Sequence, residues 1–280
     1  MENQTWGAPN APPAPLELGD AIASTFRAVG QNLVPFLVIS AIVVLPTVIV
    51  QTILEVLIYN VTQQSLASTR PEEALSMLGL LSLGYIGVLG LIMLMYAFGQ
   101  GAIMYLTVES LVGRKASVGD AVRAVLGRIV PLVIASFLVA FVTGIGAMFC
   151  FAPGIIAWIW LSAALPACLV ERLGPIQSMQ RSIELTEGHR MTIFLIFLVL
   201  FGGFFGVTLC VAMPARLAGG MTPGAIPNPL DPLQLAAKLV MFVVQLGSTM
   251  VLSAAIAVVY AKLRGLRDGV DAQALARVFA

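Results

Sequence analysis

Five stretches of the chain run without a formal charge: Ala28–Leu54 (27 residues), Ala74–Val108 (35), Ile129–Val170 (42), Met191–Ala215 (25) and Leu239–Ala261 (23). About 20 apolar residues carry a helix across the hydrocarbon core of a bilayer. The longest run has room for two such crossings, and Cys150–Gly154 (CFAPG) near its middle sets Pro153 beside Gly154, a turn signal. The pattern therefore predicts six spans, over about 33–58, 80–108, 129–150, 154–170, 191–213 and 236–262. Backbone groups in lipid must be bonded within the segment or its closed sheet. These runs lack the two-residue alternation of a barrel strand, so the spans are expected to be helices.

Between the runs the periodicity changes. Leu18, Ile22, Phe26, Val29 and Leu33 recur at helical spacing, and so do Val118, Val122, Val125, Leu126 and Ile129. Each stretch opens on Gly-Asp-Ala, where Asp20 or Asp120 can meet the free N–H groups of a helix start. Pro35 and Pro131 then suit a break between a flat helix and a span. A degraded third copy, Leu173–Phe194, sets Ile176, Met179 and Ile183 on one stripe and Gln180, Arg181, Glu184 and Glu187 opposite, with Gly188 as its stop. A fourth amphipathic stretch, Asp268–Phe279, follows the last span. The expected fold is an all-α integral membrane protein of six transmembrane helices in three hairpins. An interfacial amphipathic helix precedes each hairpin, and a C-terminal amphipathic helix closes the chain. Residues 1–15, with four prolines, read as a disordered tail; 16–265 form the membrane domain, with repeats over about 16–110, 117–171 and 173–265; 266–280 form the final segment.

Composition agrees. The chain is 59% hydrophobic and 10% charged, against about 25% charged in soluble domains. A net charge of +1 hides an asymmetry: twelve Lys and Arg fall on one side of the six spans, and Arg70, Arg216 and Lys238 on the other. The positive-inside rule then expects both termini and all four amphipathic stretches in the cytoplasm. The outer loops would be 59–79, holding Arg70–Glu73, and 214–235, rich in proline. The first 26 residues contain no Lys or Arg, so no cleavable signal peptide is expected.

The stretch LELGDAIASTFRAVGQNLVPFL (Leu16–Leu37) resembles the N-terminal signature of the membrane domains that precede some bacterial glycerophosphoryl diester phosphodiesterases. Leu169–Phe194 resembles their second signature, with Glu171, Gly174-Pro175, Arg181-Ser182 and Gly188-His189-Arg190 in order. The resemblance covers about 16–265, and related bacterial inner-membrane proteins stand alone, without the enzyme. It implies a bacterial inner-membrane location. The phosphodiesterase activity of that family belongs to an appended soluble barrel, for which this chain has neither the length nor, with His189 alone, the histidines. No catalytic residue carries over.

The residues themselves offer little chemistry. His189 reads as an interface residue beside Arg190 rather than a ligand, no Cys or carboxylate cluster has metal-ligand spacing, and no nucleophile or phosphate-loop motif is present. No cofactor, enzymatic activity or nucleic-acid partner is expected. Cys150 and Cys210 both fall toward the outer face, where a disulfide is one reading and small apolar filler the stronger one. Charges within or at the end of spans are functional suspects. Glu109 and Glu171 close spans 2 and 4; the stronger reading is an ion pair that ties each span to the next interfacial helix, with Arg114 and Arg172 the basic residues that follow, and the other reading is a proton or ion site. Glu55 could reach outward or pair with Arg70 or Arg216, and Gln51, Gln100 and Gln245 either bond across helices or line a polar path. Gly99 and Gly101 flank Gln100 and admit a close neighbouring backbone. Ala97-x-x-x-Gly101 and Gly202-x-x-x-Gly206 are small-residue faces for packing within or between protomers. Two functions follow. The favoured one is a non-catalytic membrane protein that binds lipids or membrane partners, including further copies of itself, and organises the bilayer. The alternative is a permease for a lipid-like or small amphipathic solute.

Overall fold

A computed structural model describes residues 16–67, 71–111, 117–149, 151–218 and 228–269. They form ten helices, in order α1 (Leu18–Gln31), α2 (Leu33–Ala67), α3 (Pro71–Leu111), α4 (Val118–Leu126), α5 (Ile129–Phe149), α6 (Phe151–Leu161), α7 (Ala164–Val170), α8 (Pro175–Thr186), α9 (Arg190–Ala218) and α10 (Pro232–Asp268). Six helical segments are long and apolar enough to cross a membrane: Leu33–Gln64, Gly84–Leu111, Ile129–Phe149, Phe151–Val170, Arg190–Pro214 and Pro232–Asp268. The number matches the six predicted spans, but several helices outlast the uncharged runs. Helix α2 continues to Ala67 and α3 begins at Pro71, so most of 59–79 is helix rather than loop. The N-terminal tail, Arg114, Cys150, most of the proline-rich 214–235 segment and residues 270–280 lie outside the described residues.

The chain divides into two compact units. One draws on the described residues within Met1–Ile39, Ala97–Leu200 and Met250–Ala280. The other draws on Ser40–Tyr96 and Phe201–Thr249. The first holds the short helices and the larger share of buried side chains, among them Phe36, Ile103, Leu132, Ile193, Phe197 and Tyr260.

The short helices begin where the sequence places them, for local reasons. In α4, Ser117 caps the Asp120 N–H at 3.2 Å while the Asp120 carboxylate accepts from the Ser117 N–H at 3.1 Å and its hydroxyl at 2.6 Å. This reciprocal box holds the Asp120 carboxyl below the usual carboxylate range, first through the Ser117 hydroxyl and then its N–H. Asp20 does not cap α1; it accepts from Ser24 at 3.4 Å and pairs with Lys262. Breaks at Asn32 and at Gly127–Arg128 separate α1 from α2 and α4 from α5, ahead of Pro35 and Pro131. Helix α8 starts on Pro175, with Gln177 Oε1 accepting from the Gly174 N–H at 3.3 Å.

Two expectations about the fourth span are corrected. Pro153 and Gly154 do not form the turn; both lie in the first turn of α6, where proline needs no donor. The span is also not one helix. It breaks after Leu161, because Pro166 has no N–H to offer the Ser162 carbonyl four residues back. Ser182 of α8 repairs the break: its hydroxyl accepts from the Ala163 N–H at 3.1 Å and donates to the Trp160 carbonyl at 2.7 Å. Ser182 is fully buried, so Ser182→Ala leaves two backbone groups unpaired and should cost about 1–3 kcal/mol. Thermal unfolding in detergent checks this, with Ser182→Thr as the variant that retains the hydroxyl.

Candidate functional site

The buried faces of the short helices coincide with their apolar stripes only in part: Val29, Val125 and Met179 pack inward, and most of the other stripe residues do not. Helix α1 buries Ala21, Ser24, Thr25, Ala28 and Val29, and leaves Leu18 and Ile22 half-buried and Phe26 exposed; Leu33, the last residue of the stripe, is exposed at the start of α2. Helix α4 buries Ala121 and Val125, with Val118 and Val122 half-buried and Leu126 exposed. Helix α8 buries Ser178, Ser182, Leu185 and Thr186, and exposes Ile176 and Ile183; only Met179 of its stripe packs inward, against Val139, Leu161 and Ala164. Apart from Ser182, which bonds to the Trp160 and Ala163 backbone, buried hydroxyls of these helices are satisfied by their own helix. Thr25 donates to the Ala21 carbonyl at 2.8 Å, Ser178 to Pro175 at 2.7 Å and Thr186 to Ile183 at 3.2 Å. Each short helix thus packs a small face closely and turns part of its large apolar side outward.

Where α7, α8 and the end of α10 meet in the first unit, a charged cluster forms. Glu171, at the C-terminal cap of α7, accepts from Arg181 Nε at 3.1 Å and from the Tyr260 hydroxyl at 2.9 Å, and Arg264 Nε lies 3.8 Å away. The last distance is too long for a hydrogen bond and contributes charge alone. Arg181 also pairs with Asp268, and with Glu184 at 3.7 Å. Arg267 reaches across to the Glu184 carbonyl at 2.6 Å and the Glu187 carboxylate at 3.4 Å. Burial works against the charge on Arg181, but Glu171 and then Asp268 outweigh it and hold the guanidinium above its ordinary pKa. Four carboxylates and three guanidiniums thus tie α7 and α8 to the end of α10.

Glu171 ties its span to α8, but its partner is Arg181, ten residues on, not the adjacent Arg172. Arg172 serves through its backbone. It adopts a left-handed φ of 54°, which turns the chain sharply after α7, and its carbonyl accepts from Arg128 at 3.0 Å. Gly188, at φ 82°, makes the corresponding stop after α8. Sequence reasoning missed Tyr260, Arg264 and Asp268. One available signal was their spacing of four on the last span, which puts all three on one helix face.

The other polar candidates do not join this cluster. Glu109 is buried at the end of α3, while Arg114 lies outside the described residues. In the second unit Glu55 pairs with Lys238 at 2.7 Å, a partner the sequence reading did not consider. Gln245 donates to the Tyr96 hydroxyl, and Gln51 is exposed. Gln100 is half-buried between buried Gly99 and Gly101. The close neighbours of Gly101 are side chains rather than backbone: an added Cβ would stand 2.8 Å from Leu132 and 3.1 Å from Val125. Gly202 and Gly206 face open space with nothing within 4 Å, so this small-residue face packs against nothing in the described residues of its own chain. Cys210 is free and exposed, not buried filler; Cys168 is free and buried.

Among the described residues no group of three or more His, Cys, Asp or Glu side chains is placed to hold a metal ion. An open apolar groove of about 430 Å³ runs along α6 and the start of α9, lined by Ala152, Ile155, Ile156, Ile159, Met191 and Phe194, with Trp160 and Arg190 at one end. The Arg190 guanidinium stacks on the Trp160 ring at 4.6 Å. No family model matches the chain, and no curated protein and no solved structure matches it.

Proposed function

We propose that this is a non-catalytic multi-pass protein of the bacterial inner membrane, with both termini cytoplasmic, that binds lipids or membrane partners and organises the leaflet around it. The observation that carries the reading is the outward apolar side of the three short helices. Phe26, Leu126, Ile176 and Ile183 are exposed although each helix has a small face packed against the first unit. Apolar side chains presented this way favour the headgroup–acyl boundary of a leaflet. The tip of the α5–α6 hairpin supports the reading. Met148, Phe149 and Phe151 are 90%, 86% and 79% exposed, a cluster that calls for a lipid or protein covering. The charged cluster then has a structural role, holding α8 and its neighbours against the spans. The resemblance of Leu16–Leu37 and Leu169–Phe194 to signatures of the membrane domains of glycerophosphoryl diester phosphodiesterases agrees with a role within the membrane.

The test is a combined Phe26→Glu, Leu126→Glu and Ile183→Glu variant, which leaves the buried Val125 and Ala21 faces intact. Released from native-lipid nanodiscs into a mass spectrometer, it should retain fewer lipids per chain than the parent, at unchanged helix content. Equal lipid retention and equal assembly would remove the basis of the reading. The permease alternative predicts instead a solute flux in proteoliposomes that falls with Glu55→Gln or Gln100→Leu.

A further inference from the structure

The groove along α6 joins two features that are rarely found side by side without a reason. Its walls are aliphatic over Ala152, Ile155, Ile156 and Ile159 and aromatic at Phe194, and its end carries a cation. Ala152 and Trp160 are eight helical steps apart, so the apolar floor is about 12 Å long. Arg190 opens α9, where the free N–H groups of a helix start add positive potential. Its guanidinium lies over Trp160, and among the described residues it has no carboxylate partner. Its Nε is buried with no hydrogen-bond acceptor. Arg264 Nε is likewise without an acceptor, but Arg181, Arg264 and Arg267 each face at least one carboxylate.

A guanidinium supplies a planar fork that suits phosphate oxygens, and Trp is at home where a headgroup meets an acyl chain. We propose that the groove binds one anionic glycerophospholipid, its phosphate on Arg190 and an acyl chain along Ile159, Ile156, Ile155 and Ala152. The proposal rests on the membrane reading above and adds to it a defined lipid class at a defined place. Charge complementarity selects the occupant. A zwitterionic lipid brings its own cation to the headgroup level, whereas an anionic lipid leaves its charge for Arg190.

Trp160 is a reporter already in the site. With Trp6→Phe and Trp158→Phe in the full chain, Trp160 is the sole tryptophan. The protein is reconstituted into vesicles of phosphatidylcholine with a small fraction of lipid brominated on the acyl chain, either phosphatidylglycerol or phosphatidylcholine. Brominated phosphatidylglycerol should quench Trp160 with an apparent affinity about fivefold higher, the size expected for one basic residue on an anionic headgroup. Arg190→Gln should bring that ratio to one, and Arg190→Lys should keep part of it. Equal quenching by the two lipids in the parent overturns the proposal while leaving the membrane reading intact. So does a preference that survives Arg190→Gln, or an absence of quenching by either lipid, which would mean that protein covers the groove. Lipid retention measured on the same preparations reports separately on the membrane reading. If Arg190→Gln does not fold, the parent ratio and its decline with added salt still decide the matter.

Discussion

Glu171→Gln should lower the stability of the protein by about 3 kcal/mol, the larger part of the difference arising at Arg181 and Tyr260. The carboxylate accepts from Arg181 Nε at 3.1 Å and from Tyr260 at 2.9 Å, and a hydrogen bond to a charged group is worth about 1.5–3 kcal/mol. An amide of the same shape keeps one acceptor but turns an NH₂ toward a donor. Full additivity is not expected, because the side chains of Glu171 and Arg181 remain 14% and 22% exposed and water screens part of the attraction. In a thermal scan this corresponds to a drop of roughly 6–12 °C. Tyr260→Phe should lose about 1.5 kcal/mol, since it removes one of the two bonds and leaves the ring packing in place. The Glu171→Gln/Arg181→Gln pair should lose less than the sum of its singles by at least about 1 kcal/mol, as expected of directly bonded groups. A Glu171→Gln protein that melts within about 1 °C of the parent would show that the cluster is not what holds α7 and α8 to α10.

The membrane-spanning pattern was legible because it depends on length and charge alone. A helix must cover the hydrocarbon thickness without charge, and each uncharged run reports that directly. Helix starts were legible in part: Asp120 lies in the first turn of α4 as expected, but the cap there is Ser117, and Asp20 does not cap α1. What periodicity cannot tell is which face of a helix packs. Leu18, Ile22 and Phe26 form a true stripe, yet the buried residues beside them are Ala21, Ser24, Thr25 and Ala28. In lipid, burying a leucine-sized side chain against protein gains little over leaving it in acyl chains, while small residues let helix backbones approach. On the short helices, then, apolar size does not mark the buried face, although Phe36, Ile103 and Leu132 on the long helices are buried. The charged cluster was illegible for another reason. Glu171 meets Arg181, Arg264 and Tyr260, and only the last two share a helix, so no spacing along one segment shows the set. The break after Leu161 had its warning in Pro166, but its repair by Ser182 is a tertiary contact.

Gly154→Val should be the most damaging single substitution at a glycine, and the reason is the same close approach. At Gly154 an added Cβ would stand 2.7 Å from the Ala147 nitrogen and 2.8 Å from its Cα and Cβ; at Gly146 it would stand 3.0 Å from the Gly154 Cα. The atoms in the way are mainly backbone of α5, so no rotamer change relieves the clash and the two helices must separate. Overpacking a close contact costs about 1–3 kcal/mol for the first methyl, which is the expectation for Gly154→Ala, and valine should exceed it, at about 4 kcal/mol or failure to fold. Gly202→Ala supplies the contrast within the same protein. Its Cβ meets nothing within 4 Å, and exchanging a helical glycine for alanine contributes up to about 1 kcal/mol of stability. The two variants should therefore move the thermal midpoint in opposite directions. If Gly202→Ala instead destabilises while shifting the mass of the detergent-solubilised particle, the Gly202–Gly206 face is a contact between copies, and its open surroundings within one chain are explained. If Gly154→Val melts with the parent, the α5–α6 approach is not what fixes the hairpin, and the outward placement of Met148, Phe149 and Phe151 loses its structural cause.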